Sequence, residues 1–254
     1  MSKYFKEKIT KRSEALDSRL IFALDISYPL YSLSRTERLE KRDEIYQEAR
    51  NLLDHVQNHI AAVKINYPLL LTLGPDMTSQ LLDETDVPSI ADFKVADIAN
   101  TCKWIGTQAM EMGFSAIIAH PFVGYEKGLD VLFDVTEEYD GGVILVINMS
   151  HPGSKQFITP VAEELADFAR EKGADGVVAP ATRPEEVEEA RSWVGQDLLL
   201  LTPGVGAQGG EPGDAIRAGA DFEIVGRGIY QAERPGEAAG SLRDQMREAG
   251  QGDG

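Results

Sequence analysis

Eight short runs of apolar and β-branched residues recur along the chain, each followed by a stretch able to form a helix. The runs are LIFALDI, IAAVKIN, PSIADFK, SAIIAHP, GVILVINM, DGVVAPA, DLLLLTPG and FEIVGR. Near-continuous apolar strands alternating with helices belong to parallel sheets that helices cover. Eight such units in 254 residues predict a closed (β/α)8 barrel, a TIM barrel, more than an open doubly wound sheet. Glu37–Val56 and Ile98–Met112 read as the helices after the first and third strands. Residues 1–18, with Tyr4, Phe5, Ile9 and Leu16 among charges, read as an extra amphipathic helix packed on the barrel. Residues 247–254, which end in EAGQGDG, read as a frayed tail. No linker rich in Pro, Gly and Ser divides the chain, so residues 1–254 read as one domain.

Composition narrows the setting. No apolar stretch approaches the roughly 20 residues that span a bilayer, and the N-terminus lacks the apolar core of a signal peptide. Cys102 is alone, which leaves no intramolecular disulfide and no cysteine metal cluster, and points to a reduced, cytoplasmic setting. A lone thiol in a helical stretch is most simply a packing residue. The formal charge of −17 argues against nucleic acid, because such a chain repels a phosphate backbone. Runs such as PEEVEEA and TPVAEELADFAR read as solvated helix faces. A locally positive site on an acidic chain can still hold an anion.

In a barrel of this kind chemistry sits at the C-terminal ends of the strands. Those ends carry Asp25, Lys64, Asp92 with Lys94, His120, Ser150 and Arg227. Asp92 and Lys94 are two residues apart, so both point one way while Ala91, Phe93 and Val95 point the other. The apolar set is expected to face the helices, leaving the charged pair in the barrel mouth. Asp97 comes at the start of the next helix and shares a face with Thr101. Singly, these residues have plain structural explanations. Asp97 alone suits a helix cap, Asp25 alone can end a strand, and His120 and His151, each before a proline, read as structural or peripheral. Lys64 inside an apolar strand is harder to assign to packing, since an unpaired ammonium there is costly. Two acids interleaved with two lysines can all stay ionised, which answers that cost.

The seventh run leads into LTPGVGAQGGEPGD and the eighth ends in VGRGIY. Loops after strands seven and eight form the recurrent phosphate site of these barrels. Glycines there let backbone N–H groups approach oxygens, and Arg227 can hold a phosphate with two hydrogen bonds. The glycines and prolines around Gln208 suit a lid that closes over a ligand.

The stretches ADFKVADIANT, NMSHPG, APATRPEE and TPGVGAQGGEPGDAIRAGADFEIVGRGIYQA resemble the orotidine 5′-phosphate decarboxylase family, in its short archaeal-type members, from Leu20 to Tyr230. The resemblance implies cofactor-independent and metal-free loss of CO2 from orotidine 5′-monophosphate, giving uridine 5′-monophosphate, by a homodimer with shared sites. By resemblance, Lys94 would protonate C6 of the product carbanion and Asp92 would lie beside the scissile carboxylate. Lys64 and Asp97 would complete an alternating array, with Asp97 supplied by the other subunit. Asp25 and Lys64 would hold the ribose hydroxyls, helped across the interface by Asp97 and Thr101. Ser150 would hydrogen-bond the pyrimidine, Gln208 would bridge base and phosphate, and Gly226 and Arg227 would grip the phosphate. Pro203, where the lid begins, belongs to the same substrate-binding set. Two departures stand out: Tyr28–Arg38 is longer than is usual in the short members, and Gly228 stands where many relatives carry serine.

The reaction so implied leaves a carbanion in the ring plane, unable to delocalise into the π system. No residue pattern for pyridoxal phosphate, thiamine or a metal cluster supplies an electron sink, so electrostatics would carry most of the barrier reduction. A magnesium-dependent decarboxylase or aldolase acting on a keto-sugar phosphate shares the Asp-x-Lys-x-x-Asp pattern and is the alternative reading. A barrel that senses a sugar phosphate without catalysis is a third, but it has little use for Lys94 between two acids.

Overall fold

The computed structural model describes residues 4–181, 183–204 and 210–251. Strands β1 (Leu20–Leu24), β2 (Ala62–Asn66), β3 (Ser89–Val95) and β4 (Ala116–Ala119) form the first half of a closed barrel. Strands β5 (Gly142–Val146), β6 (Gly176–Val178), β7 (Leu199–Pro203) and β8 (Phe222–Val225) form the second. Pairing is parallel in sequence order, and β8 closes on β1 through Ile21↔Ile224. Each strand falls on one of the eight apolar runs, so the expected TIM barrel is the observed fold.

Helices fill the connections. Helix α1 (Tyr4–Leu16) precedes the barrel, α2 (Arg35–Val56) follows β1, and α3 (Tyr67–Leu73) and α4 (Pro75–Asp83) follow β2. Helix α5 (Ala99–Glu111) follows β3 and α6 (Asp130–Glu138) follows β4. After β5 come α7 (Ser154–Phe157) and α8 (Ala162–Glu171), and after β6 comes α9 (Pro184–Val194). The short α10 (Asp214–Arg217) follows β7, and α11 (Arg227–Tyr230) with α12 (Pro235–Gly250) completes the chain. Helix α2 begins at a capping box, in which Ser34 Oγ accepts from the Glu37 N–H and the Glu37 carboxylate accepts from the Ser34 N–H. Helix α12 runs to Gly250, four residues into the segment expected to fray, with Met246 and Ala249 buried; residues 252–254 lie outside the described residues.

Strand alternation splits the core in two. Leu20, Phe22 and Leu24 face outward to the helices, while Ile21 and Ala23 face the barrel interior. The interior cluster includes Ala62, Ile90, Ile118, Ile144, Leu201 and Ile224, and it takes in Phe5 and Ile9 from α1. The N-terminal helix therefore plugs the barrel's lower end. Burying two such side chains is worth about 1.5–3 kcal/mol each. The plug is pinned by polar contacts, with the Lys6 N–H donating to Asp175 and Arg12 donating to the carbonyls of Ile60 and Gln57. A closed lower end leaves the C-terminal ends of the strands as the open face.

Candidate active site

Inward positions on three neighbouring strands bring the charges together. On β1 the inward Ala23 is followed by Asp25, on β2 Ala62 by Lys64, and on β3 Ile90 by Asp92. The register sets Lys64 beside Ala23 and Ile90, so Asp25 and Asp92 stand one inward layer nearer the mouth and the long lysine side chain reaches up to both. Lys64 Nζ donates to Asp92 Oδ2 at 2.7 Å and to Asp25 Oδ1 at 3.2 Å. Lys94 Nζ donates to the other Asp92 oxygen at 2.5 Å. The four groups thus form a line of alternating sign, Asp25–Lys64–Asp92–Lys94, within a single chain. Asp25 occupies the end of that line, beyond the ribose role implied for it.

Lys94 reaches this place through an irregular backbone. Ala91 pairs with Ile117 and Val95 with Ala119, so four steps along β3 match two along β4. An excess of two preserves parity, and Ala91 and Val95 both remain in the outer core. Phe93 packs edge-on between Tyr67 and Phe114, with ring centroids 5.4 and 5.5 Å away. Lys94 itself takes a left-handed backbone, φ 48°. That conformation costs a non-glycine residue about 1–2 kcal/mol. Here it accompanies the turn of the ammonium back onto Asp92.

Burial opposes charge on Lys64, but the carboxylates of Asp92 and Asp25 outweigh it and hold the ammonium above its ordinary range. Burial likewise pushes Asp92 up, and Lys64 and Lys94 more than reverse the effect, leaving the carboxyl below its ordinary range. Both groups are charged at neutral pH, and Lys94, more exposed than its partners, faces the open mouth.

The line of charges forms one wall of a cavity of about 280 Å3, with Ile118, Val146, Val178 and Ile224 as apolar surface. Ser150, Pro203, Gly226 and Arg227 also line it, as do Asn148 and Tyr230. Gly226 lies so close to β1 that a Cβ there would sit 3.2 Å from the Ala23 carbonyl oxygen. Arg227 is exposed, and among the described residues nothing pairs its guanidinium. A cationic fork at one end and a charged line along one side give the cavity the features of an anion-binding pocket. Behind it, the fully buried Glu223 on β8 accepts hydrogen bonds from the N–H groups of Gly213, Ala215 and Ile216. It ties the end of the β7–β8 connection to the barrel; burial outweighs those bonds and pushes its carboxyl up.

Other expected residues stand apart. Asp97 and Thr101 do not line this cavity. The Asp97 carboxylate is exposed and, among the described residues, accepts only from the adjoining Ile98 N–H, at 2.7 Å, while its carbonyl accepts from Cys102 Sγ. Gln208 and the loop 205–209 lie outside the described residues. In the long segment after β1, Leu30 is buried while Tyr28 and Tyr31 are exposed beneath Lys41 and Arg38. His120 packs against Phe122, and burial and Lys94 both disfavour its charged form. Among the described residues no three His, Cys, Asp or Glu side chains are grouped to hold a metal ion, and no helix is long and apolar enough to cross a membrane. Sequence reasoning did not single out Asn148, Tyr230 or Glu223. The strand parity Val146, Asn148 was the available signal for the first.

Residues 18–242 match the model of the orotidine 5′-phosphate decarboxylase / HUMPS family. An orotidine 5′-phosphate decarboxylase of Methanococcoides burtonii is 43% identical over 229 residues, covering 90% of this chain and 97% of the relative. The crystal structure of orotidine 5′-phosphate decarboxylase from Pyrococcus horikoshii superposes with a TM-score of 0.76 at 37% identity, over 90% of this chain and 99% of that one. The enzyme of Methanocaldococcus jannaschii, solved in complex with the inhibitor BMP, superposes with a TM-score of 0.77 at 34% identity, over 90% of this chain and 98% of that one.

Proposed function

The chain belongs to the orotidine 5′-phosphate decarboxylase / HUMPS family, and from that premise we propose that it converts orotidine 5′-monophosphate to uridine 5′-monophosphate in pyrimidine biosynthesis. The observation that carries this reading is the Asp25–Lys64–Asp92–Lys94 line on the wall of the cavity that Arg227 also lines.

Arg227 and Gly226 bind the 5′-phosphate, and Asp25 with Lys64 holds the ribose hydroxyls. The base then extends across the mouth, with Ser150 bonded to its far edge. C6 and its carboxylate come to Asp92 and Lys94. As CO2 leaves, its bonding electron pair stays on C6 as an in-plane carbanion. The Lys94 ammonium stabilises that charge where it develops, with little reorganisation, since Asp92 already orients it. Lys94 then gives C6 a proton, so one group serves as stabiliser and general acid. Enzymes lower barriers by about 8–23 kcal/mol, and this slow reaction belongs at the upper end. The negative charge of Asp92 beside the substrate carboxylate also disfavours the ground state. Phosphate binding far from C6 organises the site, so binding energy appears as rate.

Asp97 and Thr101 act from a second copy. Support for a homodimer comes from large apolar side chains left exposed on α3 and at α5. Ile98 and Trp104 are 69% and 60% exposed on and beside α5, and Leu71 on α3 is 60% exposed. Surface of this kind marks an interaction site. With Asp97 of a second copy beside Asp25 and Lys64, the array gains a further negative member.

The test is the absorbance of orotidine 5′-monophosphate after the protein is added in the presence of EDTA. The reading predicts steady conversion to the spectrum of uridine 5′-monophosphate. An unchanged spectrum contradicts it, and EDTA-sensitive turnover of a keto-sugar phosphate in its place favours the magnesium-dependent alternative.

A further inference from the structure

Asn148 follows Val146 at the C-terminal end of β5 and lines the same cavity as Lys94 and Arg227. Its neighbours fix which end of its carboxamide faces which way. The backbone N–H of Met149 donates to Asn148 Oδ1 at 2.9 Å, and the Thr159 hydroxyl donates to the same oxygen at 2.9 Å. With the Thr159 proton committed, Ser154 Oγ, 3.2 Å away, donates to Thr159. A backbone N–H cannot reverse its polarity, so a flipped amide would set two donors against each other. Nδ2 is therefore the free end, and among the described residues it has no hydrogen-bond partner. An amide donor left unpaired at a ligand cavity is a recognition group, because leaving it unmatched in a complex is costly.

Barrel geometry says which part of a ligand it meets. Strand β5 lies across the closed barrel from β1, which carries Asp25, and β1 adjoins β8, which leads into Arg227. On the nucleotide reading above, sugar and phosphate lie on the β8–β1 side. In a pyrimidine nucleotide C4 is opposite the glycosidic nitrogen, so the C4 edge points to β5. We infer that Asn148 Nδ2 donates a hydrogen bond to the C4 carbonyl oxygen and makes the pocket select a uracil-type ring over a cytosine-type one. This rests on that reading. A uracil-type ring offers an acceptor at C4, whereas a cytosine-type ring offers an amino donor, which would face the amide donor unpaired.

The experiment measures calorimetric affinities of UMP and CMP for the wild-type protein, Asn148→Asp and Asn148→Ala, with thermal melts as a folding control. Asn148→Asp keeps an oxygen for Met149 and Thr159 but replaces the donor by an acceptor. Its added charge repels both nucleotides through their phosphates and cancels from the ratio. The wild type is expected to prefer UMP, and the preference should fall by about tenfold or more in both variants. An unchanged UMP-to-CMP ratio in the folded variants overturns the role of Asn148. Binding of neither nucleotide by the wild type overturns the nucleotide reading itself and this inference with it.

Discussion

Asp92 Oδ2 lies 2.7 Å from Lys64 Nζ, and both side chains are more than nine-tenths buried. An ion pair in such a place is a weak source of net stability, because desolvation offsets most of the attraction. Breaking it is another matter, since the buried Asp92 carboxylate would keep Lys94 as its partner but leave the oxygen that faced Lys64 unmatched. Lys64→Met should cost about 2–3 kcal/mol in urea-induced unfolding. A loss under about 1 kcal/mol, in the range of exposed pairs, would show that water reaches the pair.

The same two residues set a pH window. Asp92 ionises below its ordinary 3.8, so its contribution is present above that value and is lost as pH falls through the lowered one. Lys64 deprotonates above its ordinary 10.5, so its contribution is present below that value and is lost as pH rises through the raised one. Stability owed to the cluster should be level between about pH 5 and 9. Melting temperatures across pH for the wild type and Asp92→Asn check this. The variant should lose the acid-side dependence, and identical acid limbs in the two proteins would contradict it.

Arg227 lines the cavity and has no partner among the described residues. Arg227→Ala should therefore leave the melting temperature nearly unchanged while lowering kcat/KM for orotidine 5′-monophosphate by about 100-fold or more. At Gly228 an added Cβ would meet, among the described residues, only Val225 Cγ1, at 3.5 Å. Gly228→Ser should fold normally and bind phosphate no more weakly than the wild type, read from KM.

The shared-site proposal has its own test. Asp97→Ala and Lys94→Ala proteins, each inactive or nearly so, are mixed under conditions where subunit exchange is demonstrated. A mixed dimer then holds one site with both native residues, and up to a quarter of wild-type activity per protein should return on the mass-action statistics of exchange. Demonstrated exchange with no recovery would place Asp97 outside its neighbour's site.

Much of this architecture is written locally. The eight strands are legible because a buried parallel strand must be apolar over its whole length, as Val143 to Ile147 are. Lys64 is legible for the opposite reason, as a charge where none is tolerated unpaired. Alternation alone carried Asp92 and Lys94 to one face, yet it gave no sign that β3 takes in two extra residues or that Lys94 adopts a left-handed backbone. A lysine has no composition cue for that, because the constraint comes from β4 and from Asp92. The orientation of Asn148 depends on Thr159, eleven residues on, and the role of Glu223 depends on N–H groups up to ten residues back. Such contacts exist only once the loops have closed over the barrel. The tail differed because Met246 and Ala249 find a buried place that polar neighbours concealed.

The central claim is that Lys94 stabilises and protonates a carbanion at C6. By microscopic reversibility the same group must be able to remove the C6 proton of uridine 5′-monophosphate. Proton NMR of that nucleotide in D2O measures this directly. The account predicts that the wild-type protein replaces the C6 hydrogen with deuterium and that Lys94→Ala, folded and able to bind the nucleotide, does not. Exchange that persists in Lys94→Ala, or a wild type that decarboxylates yet never exchanges, would contradict it.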